Sequence, residues 1–319
     1  MNAPKVYGHE LLGKGYVNEF DLIYGYSIIG LCIIHLTFAT VNLWILKKIN
    51  IFHNSFGFLV AARTIVEMSG SLMHLVYSGP ITLLQSTGTA PVLGLIVGYL
   101  GYGIAGMACF LHVVLSINRF TAVYFPLRYG RLFTIRNCVY LLIVDAIALV
   151  IIVTPNYLIP CNMVGYSAQY YGYIILGCRD EHTQRPFQVS TFSHWICWVS
   201  FCSGAIFVDS LTLIKILKLK RVESVKKDKY FTRNVRFFAQ SAFQNIPMFA
   251  EIALLTLGNN ELTEDKAFFR IFSFIVTRVT DVINSTTLVI FIPEARFMFR
   301  SARAITRVFS TDISSTRQS

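Results

Sequence analysis

Charge is what this sequence has least of. Only 14% of its 319 residues are Asp, Glu, Lys or Arg, where a soluble domain carries about 25%. Apolar residues make up 54%, with 26 Phe and 16 Tyr. That balance excludes an ordinary water-soluble domain and predicts a chain whose solvent is largely lipid. There is no glycine-rich phosphate loop and no zinc-finger spacing, so the net charge of +11 does not point to nucleic acid. The histidines of the apolar stretches, His35, His74, His112 and His194, stand singly, and no Ser-His-Asp set falls at one depth. Neither an enzyme nor a cofactor is implied. The last apolar stretch has no Lys to form a retinal Schiff base. Residues 1–21 hold no short apolar core before a small-residue cleavage site, so the first apolar stretch is expected to act as its own insertion signal.

What is present is a set of seven stretches, each long enough to cross about 30 Å of hydrocarbon. They lie near 22–46, 55–78, 91–118, 137–158, 191–217, 235–258 and 267–292. The pattern predicts an all-α membrane protein, a seven-helix bundle over 22–292, between an outer N-terminal segment 1–21 and a basic tail 293–319. Orientation follows from the loops. Lys47 and Lys48, then Arg119, Arg128, Arg131 and Arg136, fall on one side. So do eight basic residues between Lys218 and Arg236, and five arginines of the tail. The other side holds only Lys5, Lys14, Arg179, Arg185 and Lys266, with more acids than bases. That bias puts the N-terminus outside. The tail mixes Phe297, Phe299, Ile305, Val308 and Phe309 with regularly spaced arginines, the composition of a short amphipathic helix on anionic membrane lipids.

Several polar residues stand where lipid or helix packing would favour apolar ones. Arg63 and Glu67 are four apart, and Arg278 and Asp281 three apart, so each pair shares a helix face. With Asn284 they predict a polar core between the second and seventh segments, either a switch or ion site or a charge-neutral packing device. Pro247 interrupts the sixth segment and predicts a kink, with Gln240, Gln244 and Asn245 placed to satisfy freed carbonyls. Gly94 and Gly98 make a small-residue face on the third segment, read as close packing of a central helix. Tyr77, Tyr99, Tyr102, His194, Trp195, Trp198 and Glu251 cluster in the outer halves and are candidate ligand contacts. Five of the seven cysteines fall in apolar stretches. Cys161 and Cys178 share a Tyr-rich, flexible outer loop, where a disulfide is expected to contribute about 3 kcal/mol. Cys109 lies about 15 Å along its helix from Arg119, too deep to reach that loop.

Arg119 is the most specific signal. It follows about 25 uncharged residues, sits in Asn118-Arg119-Phe120 at the inner end of the third segment, and is followed by Pro126 and a basic loop containing Arg128. On that run, SINRFTAVYFPLRYGRLFT (116–134), the chain resembles nematode serpentine chemoreceptors, most like class X, within the rhodopsin-like heptahelical superfamily. NSFGFLVAARTI (54–65), Pro160-Cys161 with Cys178, RNVRFFAQSAFQNIPMFAEI (233–252) and VIFIPEARFMFR (289–300) support the likeness.

The resemblance implies a receptor in the plasma membrane of sensory neurons, in their cilia. It would bind an external small molecule or peptide and activate a heterotrimeric G protein through Asn118, Arg119, Phe120, Pro126 and Arg128. The superfamily's acid before this arginine is replaced by Asn118, which removes the usual acid–arginine lock. Asn284 matches the asparagine of the seventh-helix motif, but Ser285 and Leu288 stand where its proline and tyrosine belong. Against the receptor reading stands a seven-helix transporter or ligand-gated channel. The sequence shows neither the internal repeat nor the paired broken helices of a transporter, and insect-type odorant channels have the opposite orientation.

The loop charges make the first testable point. Epitope tags on intact cells should be accessible at residue 2 and hidden at residue 319. Surface labelling of the C-terminal tag would reverse the orientation and remove the receptor reading.

Overall fold

The structure is a computed structural model that describes residues 8–158, 162–176, 195–220, 229–258 and 264–291. Helix α1 (Glu19–Lys48) begins at a capping box. Asp21 donates its backbone N–H to the Asn18 side chain and accepts the Asn18 N–H in return. It ends on Lys47 and Lys48, which suit the negative end of a helix dipole. Helix α2 (Ser55–Leu84) starts at Asn54, whose side chain accepts from Gly57 N. Expected to stop near Ser78, it continues through a π turn at His74–Ser78 and past Pro80, a residue with no N–H to donate. Helix α3 (Pro91–Tyr124) opens on a proline at its first position and runs well beyond Asn118. A short helix α4 (Pro126–Leu132) follows, started by Pro126. Helix α5 (Ile135–Leu158) is capped by Thr134. A π turn at Trp195–Ser200 leads into α6 (Phe201–Lys220), and α7 (Lys229–Gly258) and α8 (Glu264–Phe291) complete the chain.

Five of these helical stretches are long and apolar enough to cross a membrane: Glu19–Lys48, Ser55–Leu84, Pro91–Tyr124, Ile135–Leu158 and Trp198–Lys220. Helices α7 and α8 are of similar length but more polar, bearing Gln240, Gln244, Asn245 and Glu251 on one and Arg278, Asp281 and Asn284 on the other. Helix α3 is central and touches α2, α5, α6 and α7, while α8 packs on α7, α1 and α2. The inner half is filled by Ile45, Phe52, Phe56, Leu111, Leu115, Phe237 and Leu288. Large apolar side chains such as Ile23, Val76, Ile147 and Ile151 face outward, where a membrane would receive them.

The expectation of an all-α chain needs one correction. Between α5 and α6 lies an antiparallel hairpin, β1 (Val164–Ser167) and β2 (Gly172–Ile175), with Val164 opposite Ile175 and Tyr166 opposite Tyr173. Its Tyr and Ile residues favour extended backbone, and pairing satisfies peptide groups that would otherwise be buried unbonded. Nor is this stretch loose. Tyr166, Ser167 and Ala168 are wholly buried, and the Tyr166 hydroxyl lies 2.8 Å from Thr82 Oγ1. The glycines of α3 explain the depth, for their partner is this hairpin rather than another helix. A Cβ at Gly98 would overlap the Val164 carbonyl, and one at Gly101 would overlap the Tyr173 hydroxyl.

The N-terminal segment closes over the hairpin. Leu11 is buried between Gly94 and Gly165, and the Glu10 carbonyl accepts from Ser167 and Gln169. Asp21 accepts from Lys14 (3.0 Å), Gln85 (2.8 Å) and the Tyr171 hydroxyl (2.6 Å). Burial works against the Lys14 ammonium, but its bonds to Tyr171 and Asp21 outweigh it and hold its pKa above that of an ordinary lysine. For Tyr171 burial acts the other way and raises the pKa, and its bond to Asp21 adds to the rise.

The glycine seat can be tested directly. Gly98→Ala should lower the stability of the folded chain by about 1–3 kcal/mol through overpacking and reduce its surface level. Gly103→Ala, with nothing within 4 Å of the new methyl, should be neutral or mildly stabilising. Equal thermal midpoints for the two variants would mean that the hairpin does not sit on α3.

Candidate functional site

Because α3 continues past Asn118, Arg119 lies inside the bundle rather than at a helix end, and is only 5% exposed. A buried guanidinium needs a counter-charge. None precedes it in sequence, and the structure supplies one from another helix. Arg119 Nη2 lies 3.7 Å from Asp209 Oδ1 on α6 and donates to Ser116 Oγ at 3.2 Å. Asp209 Oδ2 in turn accepts from Asn245 Nδ2 on α7 at 2.6 Å. With its amide nitrogen given to Asp209, Asn245 offers its oxygen to His112 Nδ1 of α3 at 2.8 Å. Arg119 therefore has an acid partner, but one that joins α3 to α6 and is steadied from α7.

The chain of contacts goes on outward. His112 Nε2 lies 3.9 Å from Glu67 Oε1 on α2. Glu67 also faces Arg63 Nε at 3.5 Å and accepts from Asn284 Nδ2 of α8 at 2.7 Å. Arg63 Nη1 donates to Gln244 Oε1 at 2.9 Å, and Gln244 Nε2 donates to the Asn284 carbonyl and to Thr287. Gln244 and Asn245 thus bond to neighbouring helices. Their expected task, to satisfy carbonyls freed by Pro247 on their own helix, is not the one the structure gives them. Two consecutive residues, two and three positions before Pro247, tie α7 to α2, α3, α6 and α8.

A second cluster sits one turn outward. Arg278 and Asp281 pair at 2.9 Å, as their spacing predicts. Arg278 reaches α2 at Ser71 Oγ (3.3 Å) rather than at Glu67, and Ser71 meets His35 Nδ1 of α1 at 2.7 Å. The expected polar core between the second and seventh segments exists, but its direct link is Glu67–Asn284.

The remaining candidates divide. Tyr102 and Trp198 stand edge to face with ring centroids 3.9 Å apart, in one apolar cluster with Met248 and Ile252 of α7. Glu251 lies between those two in sequence and bonds to Thr277 of α8. Tyr99 does not join them. It faces α5, with its hydroxyl 3.3 Å from Thr154 Oγ1 and its ring against Tyr157. Asn118 accepts from Tyr129 of α4 at 3.3 Å, Phe120 stacks on Tyr124, and Arg128 is exposed. His194, Cys161, Cys178 and the tail 293–319 lie outside the described residues. Ser71, Ser116 and Thr287 were not foreseen as members of the seam. Ser116 carried a signal, standing three residues before Arg119 and so on its face.

Residues 27–291 match the family described as serpentine type 7TM GPCR chemoreceptor Srx. No curated protein matches the chain.

The seam predicts strong coupling between Glu67 and Asn284. A cycle of Glu67→Gln, Asn284→Ala and the double variant, followed by thermal unfolding in lipid discs, should give a coupling energy of about 1 kcal/mol or more. Strict additivity would show that the two side chains do not share a hydrogen bond.

Proposed function

Since this chain belongs to the Srx family of serpentine seven-transmembrane chemoreceptors, we propose that it binds an external small molecule or peptide and activates a heterotrimeric G protein. The observation that carries this reading is the fastening of Arg119 by Asp209 and Asn245, two residues from Pro247. The N-terminus lies outside and the chain crosses the plasma membrane seven times, in the cilia of a sensory neuron. Ligand binds in the outer half, under the hairpin, against Tyr102 and Trp198 on one side and Glu251 on the other. It shifts the balance between two packings of α7, which bends at Pro247. As the inner end of α7 moves out, Asn245 leaves Asp209, and the Arg119–Asp209 pair loses its third member. Arg119 then turns into the opened space. Its planar fork can donate to the last carbonyls of a G-protein helix, which the helix dipole makes favourable for a cation. Arg128 and the basic residues after α6 add a positive surface for the same partner, with Asn118 and Phe120 holding the inner end of α3 in place.

Asp209→Asn should keep the volume and one acceptor, enough for Asn245, but remove the charge and the second acceptor that retain Arg119. Basal G-protein activation should rise by about fivefold, the scale of a weak allosteric bias. Arg119→Ala should abolish activation at matched surface level, and Arg119→Lys should fall between it and the unmodified chain. An Asp209→Asn variant as silent as the parent, together with Arg119→Lys signalling at the parental level, would reduce Arg119 to a structural anchor.

A further inference from the structure

The described arginines inside the bundle are each matched by a carboxylate: Arg63 by Glu67, Arg119 by Asp209 and Arg278 by Asp281. Two described carboxylates of the bundle have no ion pair, Asp145 on α5 and Glu251 on α7, and only Glu251 is less than fully buried. Among the described residues it makes no ion pair within 4 Å: Arg278, whose charge reaches it, is bound to Asp281, and the Thr277 hydroxyl is its bonded partner. It is half-buried and lies two turns from the outer end of α7, so it keeps access to a small molecule. Aromatic rings lie within a turn of its partner and beside its neighbours in sequence. Thr277 lies one turn inward of Phe274, whose ring meets Tyr173 of the hairpin, and Tyr173 lies against Gly101, next to Tyr102. Tyr102, Trp198, Met248 and Ile252 form the neighbouring apolar wall. A reachable carboxylate without its own counter-ion at membrane depth calls for a cation. Aromatic rings favour an organic cation over a hydrated metal ion.

We propose that the ligand carries a protonated amine, which pairs with Glu251 while its apolar part lies against Tyr102, Trp198, Met248 and Ile252. This rests on the receptor reading above and names the chemistry that site selects. An ammonium brings the missing charge into the bundle and leaves every carboxylate of the seam matched. A carboxylate ligand would face Glu251 with like charge, and a neutral one would leave it as it is.

The test uses the full chain in lipid discs, with phenethylammonium and tetramethylammonium as probes and 2-phenylethanol and phenylacetate as neutral and anionic counterparts. At tenfold over its half-saturating concentration phenethylammonium should raise the thermal midpoint by about 2 °C. Glu251→Gln should increase the half-saturating concentration tenfold or more, and Glu251→Asp should restore part of the response. Three results would overturn the proposal: no effect of either ammonium ion at millimolar concentration, equal effects of phenethylammonium and 2-phenylethanol, or an undiminished response in Glu251→Gln. Basal activation by Asp209→Asn needs no ligand, so it separates the two readings. Activation without an ammonium effect removes the amine alone. An ammonium effect that depends on Glu251, in a chain that never activates a G protein, keeps the amine site and removes the receptor.

Discussion

The cost of a charge without a partner at membrane depth governs this bundle. Three described arginines lie inside it, and the fold is arranged so that each meets a carboxylate. Two of these pairs are made within one helix and one is made between helices. The pairs within a helix travel with it and are indifferent to how helices pack. The Arg119–Asp209 pair exists only while α3 and α6 hold their present relation, and breaking a buried pair leaves an uncompensated ion worth about 3–5 kcal/mol. The seam is therefore unevenly sensitive. Its outer and middle pairs preserve neutrality, while its innermost pair reports on the arrangement of helices.

The hairpin and the seam meet the same constraint differently. Strands at this depth must have every peptide group bonded and must lie where no side chain intervenes. Pairing between β1 and β2 meets the first need, and the glycines of α3 meet the second. Tyr166, Tyr171 and Tyr173 then turn their rings into the bundle, where Tyr24 and Phe274 receive them. The aromatic layer and the polar seam are stacked, with Arg278 lying over the Phe274 ring at their boundary.

Much of this was legible in the sequence because it is local. Apolar runs gave most helix positions, and the spacings 63/67 and 278/281 gave the charge pairs within helices. What stayed hidden depends on contacts between distant parts of the chain. Asp209 lies 90 positions from Arg119, and nothing in the spacing of either reveals the other. The glycines of α3 announced a close approach but not by what, since a helix and a strand need the same missing Cβ. Gln244 and Asn245 looked like servants of Pro247 because that explanation lay within their own helix. The second helix outran its expected end because a π turn can carry a helix past a proline, and apolar periodicity does not register it.

One consequence follows from Asn245. Its amide has two unlike ends, and both are in use, one giving hydrogen to Asp209 and the other taking it from His112. The seam thus has a polarity at this point, running from imidazole through amide to carboxylate, and it cannot be read backwards. A carboxyl in this place would set acid against acid, and a hydroxyl is too short to span both neighbours. The vocabulary open to this position is therefore close to a single residue, for a reason that concerns the order of donors and acceptors rather than size or hydrophobicity.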